Sequence, residues 1–116
     1  MSIDRLDPGP RLSRAVLHGP TIYLAGMTAD DLTQDVTGQT SQILTKIDHY
    51  LAQAGSDRSK LLSATIWLRD IATFDEMNAV WDGWIDKRNP PARATVEARL
   101  AGDRFLVEIM TIAARD

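Results

Sequence analysis

Arg93 and Glu108 are the two residues of this chain whose type and setting ask for chemistry. Arg93 stands two residues after the rigid pair Pro90-Pro91, in an alternating run from Ala92 to Arg99 whose other face is rich in alanine. The alternation puts it on the face of a strand away from the helices, where a guanidinium needs an anionic partner. Glu97 or Glu108 is one kind of partner, and the carboxylate of a ligand is the other. Glu108 is flanked by Val107 and Ile109 in the most apolar segment of the chain, a poor place for a solvated carboxylate and a good one for a paired or functional one. If the turn at Gly102-Asp103 folds the last two strands into a hairpin, Glu108 falls opposite Glu97, with Arg93 and Arg99 close enough to offset the like charges.

The other reactive residue types carry less. There is no cysteine, which removes disulfides, thiol nucleophiles and thiolate metal sites, and His18 and His49 are not spaced as metal ligands. No metal is expected. Asp30-Asp31 reads as a solvated loop and Asp75-Glu76 as part of a helix start, so paired-carboxylate catalysis is not indicated. His18 reads as an exposed turn residue, and Trp67, Trp81 and Trp84 as core or interface aromatics. Glycine-rich phosphate loops, nucleophile elbows and calcium loops are absent.

The elements that must position Arg93 and Glu108 follow from the periodicity. Ser13–His18 and Thr21–Ala25 read as a hairpin around Gly19-Pro20. Over residues 35–54, Val36, Ile43, Leu44, Ile47, Leu51 and Ala54 recur at helical spacing, with Gln39, Gln42, Lys46 and Gln53 opposite. Thr33 or Asp35 caps that helix and Gly55 ends it. Leu61–Arg69 is a strand with Leu62, Ala64, Ile66 and Leu68 on one face. Thr73-Phe74-Asp75-Glu76 reads as a capping box, opening a helix with the stripe Phe74, Met77, Trp81 and Trp84-Ile85 that Pro90-Pro91 terminate. Residues 92–100 and 105–113 are two further strands joined through Ala101-Gly102-Asp103, giving the order ββαβαββ. Two helices cover one face of such a sheet. The other face, bearing Leu106, Met110, Ile112 and Trp67, has nothing left in the chain to cover it, which predicts a symmetric homo-oligomer burying that face.

With 116 residues, 44% of them hydrophobic and 25% charged, residues 1–116 form one domain with one core. The net charge of -3 and scattered basic residues speak against nucleic acid as a partner. No apolar run approaches the ~20 residues of a membrane span, and the opening residues lack the pattern of a signal peptide, so no membrane association and a cytoplasmic location are expected.

The string Pro91-Ala92-Arg93-Ala94-Thr95-Val96-Glu97-Ala98-Arg99-Leu100, followed by Val107-Glu108-Ile109, resembles the Rid family, the reactive intermediate deaminases or YjgF-like proteins. Ser13-Arg14-Ala15-Val16, Ile22-Tyr23-Leu24-Ala25-Gly26, Gln39-Thr40, Ala54-Gly55-Ser56 and Phe74 with Met77-Asn78-Ala79 match the family's pattern in the family's order, so the resemblance spans the whole chain. It implies a chorismate-mutase-like α+β fold, assembled as a homotrimer with a small-molecule site in each cleft between subunits.

The implied reaction is hydrolysis of a 2-imino acid to the 2-oxo acid and ammonia, without cofactor. Arg93 takes the position of the family's carboxylate-gripping arginine, and Glu108 that of the glutamate that places the water, with a nearby guanidinium expected to keep it ionised. Asn78 falls within the matching helix segment and is expected at the substrate. Four matching positions around the implied cleft differ: Thr95 stands for the family's cysteine, Ala25 for serine, Met27 for glutamine and Leu12 for an aromatic residue. A cleft so altered fits a shifted substrate range or, as an alternative, a small-carboxylate-binding or regulatory protein without turnover. The charge makes an RNA-directed activity less favoured.

Overall fold

Eight regular segments alternate along the chain, and the computed structural model describes all of residues 1–116. They are β1 (Ile3–Leu6), β2 (Ala15–His18), β3 (Thr21–Leu24), α1 (Val36–Gln53), β4 (Leu61–Leu68), α2 (Phe74–Trp84), β5 (Ala92–Glu97) and β6 (Val107–Ala114). The strands form one mixed six-stranded sheet in the order β1-β2-β3-β6-β4-β5, with both helices on one face. The class is α+β. No helix is long and apolar enough to cross a membrane.

Local chemistry explains most boundaries. The β2–β3 hairpin closes at Gly19, whose φ of 59° a β-branched residue would resist. Asp35, rather than Thr33, caps α1, its carboxylate accepting from the Gly38 amide at 3.0 Å, and Gly55 follows with φ 79°.

Several sequence expectations are corrected. β1 has no counterpart in the sequence pattern: four mostly exposed residues add to β2 at the sheet's edge, and they carry no buried face to betray them. The chain order is therefore βββαβαββ. The capping box does not form. Thr73 instead closes a 3-10 turn with its hydroxyl donating to the Asp70 carbonyl at 2.7 Å, while Glu76 accepts from the Thr37 amide and hydroxyl at 3.0 and 3.1 Å and ties α2 to α1. Leu62 is 51% exposed, because an irregularity between Leu61 and Ser63 hands its place in the core to Leu61. Gln39 faces inward, fully buried, with its amide donating to the Gln34 and Arg104 carbonyls and accepting from the Leu106 amide.

The largest correction concerns β5 and β6, which end up separated by β4. β4 pairs parallel with β5 and antiparallel with β6, so Glu108 lies opposite Trp67 and not Glu97. Gln39 holds the connecting loop away from a tight hairpin turn, and β6 takes the centre of the sheet that its two apolar faces suit.

One face of the sheet meets the helices. Ala15, Leu17, Ile22, Leu24, Leu61, Ala64, Ile66, Leu68, Val107, Ile109 and Ala113 pack there against Ile43, Leu44, Ile47, Leu51, Met77 and Trp81. The opposite face is open, as the alternation in β6 predicts, except that Leu106 precedes the strand and packs against the core instead. Tyr23, Val96 and Met110 are 47%, 46% and 38% exposed on it, beside the half-buried Trp67 and Ile112.

Candidate functional site

Arg93 lies on the helix side of β5, not on the open face where the alternation predicts it. Its pairing partner in β4 is Ala64, a core residue, and its side chain reaches α2. The reason is that β5 is an edge strand beside a helix of only 11 residues, which leaves room for a long side chain to emerge next to the helix. The Ala94 and Val96 side is the one that faces the open surface.

Three residues of α2 hold the guanidinium. Nη1 donates to Asn78 Oδ1 at 2.8 Å, and Cζ lies over the rings of Trp81 and Phe74 at 5.2 and 5.9 Å from their centroids. No carboxylate pairs with it, so neither ion pair considered from the sequence forms: Glu97 accepts from the Ile71 amide at 2.9 Å, and Glu108 lies on the other side of the sheet. Nε and Nη2 make no hydrogen bond. That pair is one edge of a planar fork suited to a carboxylate. A groove of about 390 Å³ adjoins it, lined by Trp81, Ile85, Pro90 and Pro91 together with the charged Asp82 and Lys87. Thr95, two residues on along the same face, has a buried hydroxyl with no partner.

Glu108 occupies the open face in the centre of the sheet, beside Trp67 of β4. On its other flank Met27 bridges to Ile109, which brings Gly26 against the carboxylate: a Cβ built on Gly26 would overlap Glu108 Oε2 and sit 3.1 Å from its Cδ. No cation lies close enough to pair with Glu108. Within one chain, partial burial alone raises its pKa above the ordinary glutamate value, with no guanidinium of the same chain to offset it.

The remaining sequence-selected residues do not gather with these two in one chain. Ala25 adjoins Gly26 and follows Tyr23 on the open face. Met27 is in the core at 1% exposure, so it lines no open cleft near Glu108, and Leu12 is exposed in the β1–β2 loop beside Arg11 and Arg14. Phe74, Trp81 and Gly26 are the residues the sequence reading missed as site components. The two aromatics were legible only as a helix stripe, and Gly26 only as the end of a strand. No group of His, Asp and Glu side chains could hold a metal ion.

The model of the family described as Endoribonuclease L-PSP matches residues 2–115. A RutC family protein of Haemophilus ducreyi is 41% identical over 112 residues, covering 97% of this chain and 96% of that one. The chain belongs to this family, the YjgF-like or Rid proteins. Within it, the RutC family protein YoaB of Escherichia coli K12 is 40% identical over 114 residues, covering 98% of this chain and 99% of its own. A crystal structure of a YjgF-family member from Neisseria meningitidis matches with a TM-score of 0.97 at 41% identity, over 100% of this chain and 97% of that one. The α+β architecture is thus that of the YjgF family, and the P-A-R motif and the β6 glutamate occupy opposite faces of its sheet.

Proposed function

We propose that this YjgF-family chain hydrolyses 2-imino acids to 2-oxo acids and ammonia, as a homotrimer in which each site takes Arg93 from one copy and Glu108 from the next. The observation that carries this reading is the placement of the two residues. Arg93 presents unspent fork donors on the helix side of an edge strand, and Glu108 sits on an uncovered apolar sheet face. They serve one substrate only when a second copy docks on the open face.

The chemistry asks little beyond this pair. An iminium carbon is already electrophilic, so the protein needs to hold the carboxylate and aim one water. The substrate carboxylate spans Nε and Nη2 of Arg93. The ionised Glu108 takes a proton as the water oxygen bonds to carbon, giving the neutral carbinolamine, and returns it to the amine nitrogen. Collapse then breaks the C–N bond, the hydroxyl proton passing through the same carboxylate to leave as ammonium beside the 2-oxo acid. Thr95, whose hydroxyl has no partner, would support the carboxylate, and Ala25, beside Gly26, would line the Glu108 side.

Ammonia and 2-oxo acid release from freshly generated imines of several amino acids, with and without protein, tests the reaction. Light scattering in dilute buffer is expected to give three times 12.9 kDa. A folded monomer, or no acceleration with any imine, sinks the reading. Tight binding of 2-oxo acids without turnover would favour the alternative, a small-carboxylate binder, which the unpaired Arg93 supports equally well. The RNA-directed activity suggested by the family model's description gains nothing from a net charge of -3 and an apolar open face.

Gly26 supplies a separate check on Glu108. The atoms a new Cβ would displace are the far end of a flexible side chain, so Gly26→Ala should leave melting within about 3 °C of the parent. Turnover should nonetheless fall roughly tenfold or more, since the displaced carboxylate no longer aims the water. Equal turnover in the two proteins would mean that the position of Glu108 does not matter.

A further inference from the structure

We propose that Phe74 is a positioning residue that works through Arg93, holding the guanidinium so that its Nε–Nη2 edge, and no other, meets the substrate carboxylate. This rests on the reading of Arg93 as carboxylate anchor. Phe74 is an oddity as a core residue. It opens α2 yet remains 37% exposed, while Met77 and Trp81, one and two turns on, are buried at 0% and 5%. It therefore does little to fill the core. What it does touch is Arg93, whose Cζ lies over its ring at 5.9 Å and over that of Trp81 at 5.2 Å.

An arginine on an edge strand has a long, freely rotating side chain, and fixing it costs conformational entropy at each binding event unless the protein has already paid it. Here three contacts from one helix restrain the group. Asn78 takes Nη1, and the two ring faces attract the cation from beside it. With one Nη1 donor committed to Asn78, the Nε–Nη2 side is the two-donor edge on which no hydrogen bond is yet made. The restraint is built on α2 rather than on a loop, which keeps it in place before any ligand arrives. No acidic side chain takes part, so the cation is oriented without being neutralised. An ion pair in place of the rings would compete with the substrate carboxylate for the same donors.

Phe74→Leu separates this from a packing role, since Leu keeps apolar bulk and helix propensity but removes the ring face. The readouts are the dissociation constant of 2-oxobutyrate, followed by NMR titration, together with kcat and KM for its imine and the melting temperature. Affinity is expected to weaken five- to tenfold with KM rising by the same factor, kcat changing less than twofold and the fold intact. Phe74→Tyr, which restores a ring, should return the affinity to within twofold of the parent. In an Arg93→Ala background, Phe74→Leu should have no further effect on binding. If Phe74→Leu binds 2-oxobutyrate as the parent does, or weakens binding equally with and without Arg93, the positioning role is overturned. The outcome for Arg93→Ala alone stands apart from that result: binding undiminished in that variant removes the anchor reading itself, whereas binding lost there but intact in Phe74→Leu removes only the role of Phe74.

Discussion

Arg93→Ala is expected to lower imine hydrolysis by about two to three powers of ten per folded protein, with assembly and melting temperature nearly unchanged. The magnitude is that of removing a charged, two-bond contact to a carboxylate from a partly dry interface. The stability side follows from what Arg93 touches. Its side chain is exposed, has no ion pair, and gives up one hydrogen bond to Asn78 and two ring contacts, none of which fills the core. Arg93→Lys keeps the charge but cannot span two oxygens in one plane, and an ammonium cannot satisfy Asn78 and a carboxylate in the same geometry, so it should lose most of the rate as well. Had Arg93 been a structural ion-pair member, the same changes would lower melting first and the rate only in proportion. An unchanged rate per folded protein in Arg93→Ala would end the anchor reading.

The two key residues were legible in the sequence by type, but not by the face each occupies. Glu108 announced itself through Val107 and Ile109, and the alternation in β6 correctly placed it on the face without helices. Arg93 failed the same test for a physical reason. Alternation tells which residues share a face, and in β5 it correctly grouped Arg93 with Thr95 and Glu97. It does not tell which face is buried when an edge strand is exposed on both sides, as the pattern of β5 shows. The alanines of the other face are exposed rather than core, and alternation alone does not distinguish the two.

Pairing order was hidden for a related reason. A turn-like Ala101-Gly102-Asp103 between two strand-like runs favours a local hairpin, and the competing arrangement depends on Gln39, 63 residues earlier in the chain than Gly102, reaching the loop backbone from inside a helix. Glutamine at a helical position carries no signal that separates a solvated face from a buried staple. The capping box failed because Asp70 offered Thr73 a nearer acceptor and Thr37 gave Glu76 a tertiary partner. By contrast, α1, with its cap and its closing glycine, and the uncovered sheet face were readable from spacing alone, since each depends on residues close in sequence.

Glu108→Gln is expected to cut turnover by about two powers of ten or more, since the amide can hold a water but cannot take its proton. Its effect on stability should have the opposite sign. Burial raises the pKa of Glu108 above the unfolded-chain value, so the folded protein prefers the protonated form, and ionisation at neutral pH works against folding. The Gln variant should therefore melt higher than the parent at pH 7, and the gap should close as pH falls below the ordinary glutamate range, where the parent is protonated in both states. The same shift predicts that the acid limb of the parent's rate lies above the ordinary carboxylate range, because the proposed mechanism needs the ionised form. The sharpest test mixes the two dead variants. With Arg93 and Glu108 on opposite faces of one sheet, the proposed trimer, when it holds both Arg93→Ala and Glu108→Gln chains, would have one cleft in which the intact arginine of one copy meets the intact glutamate of the next. Unfolding and refolding the variants together in equal amounts gives mixed trimers in about three cases out of four, each with one good cleft in three, so about a quarter of the parent activity should return. If both residues acted from a single chain, every chain would lack one of them, and no mixture would recover.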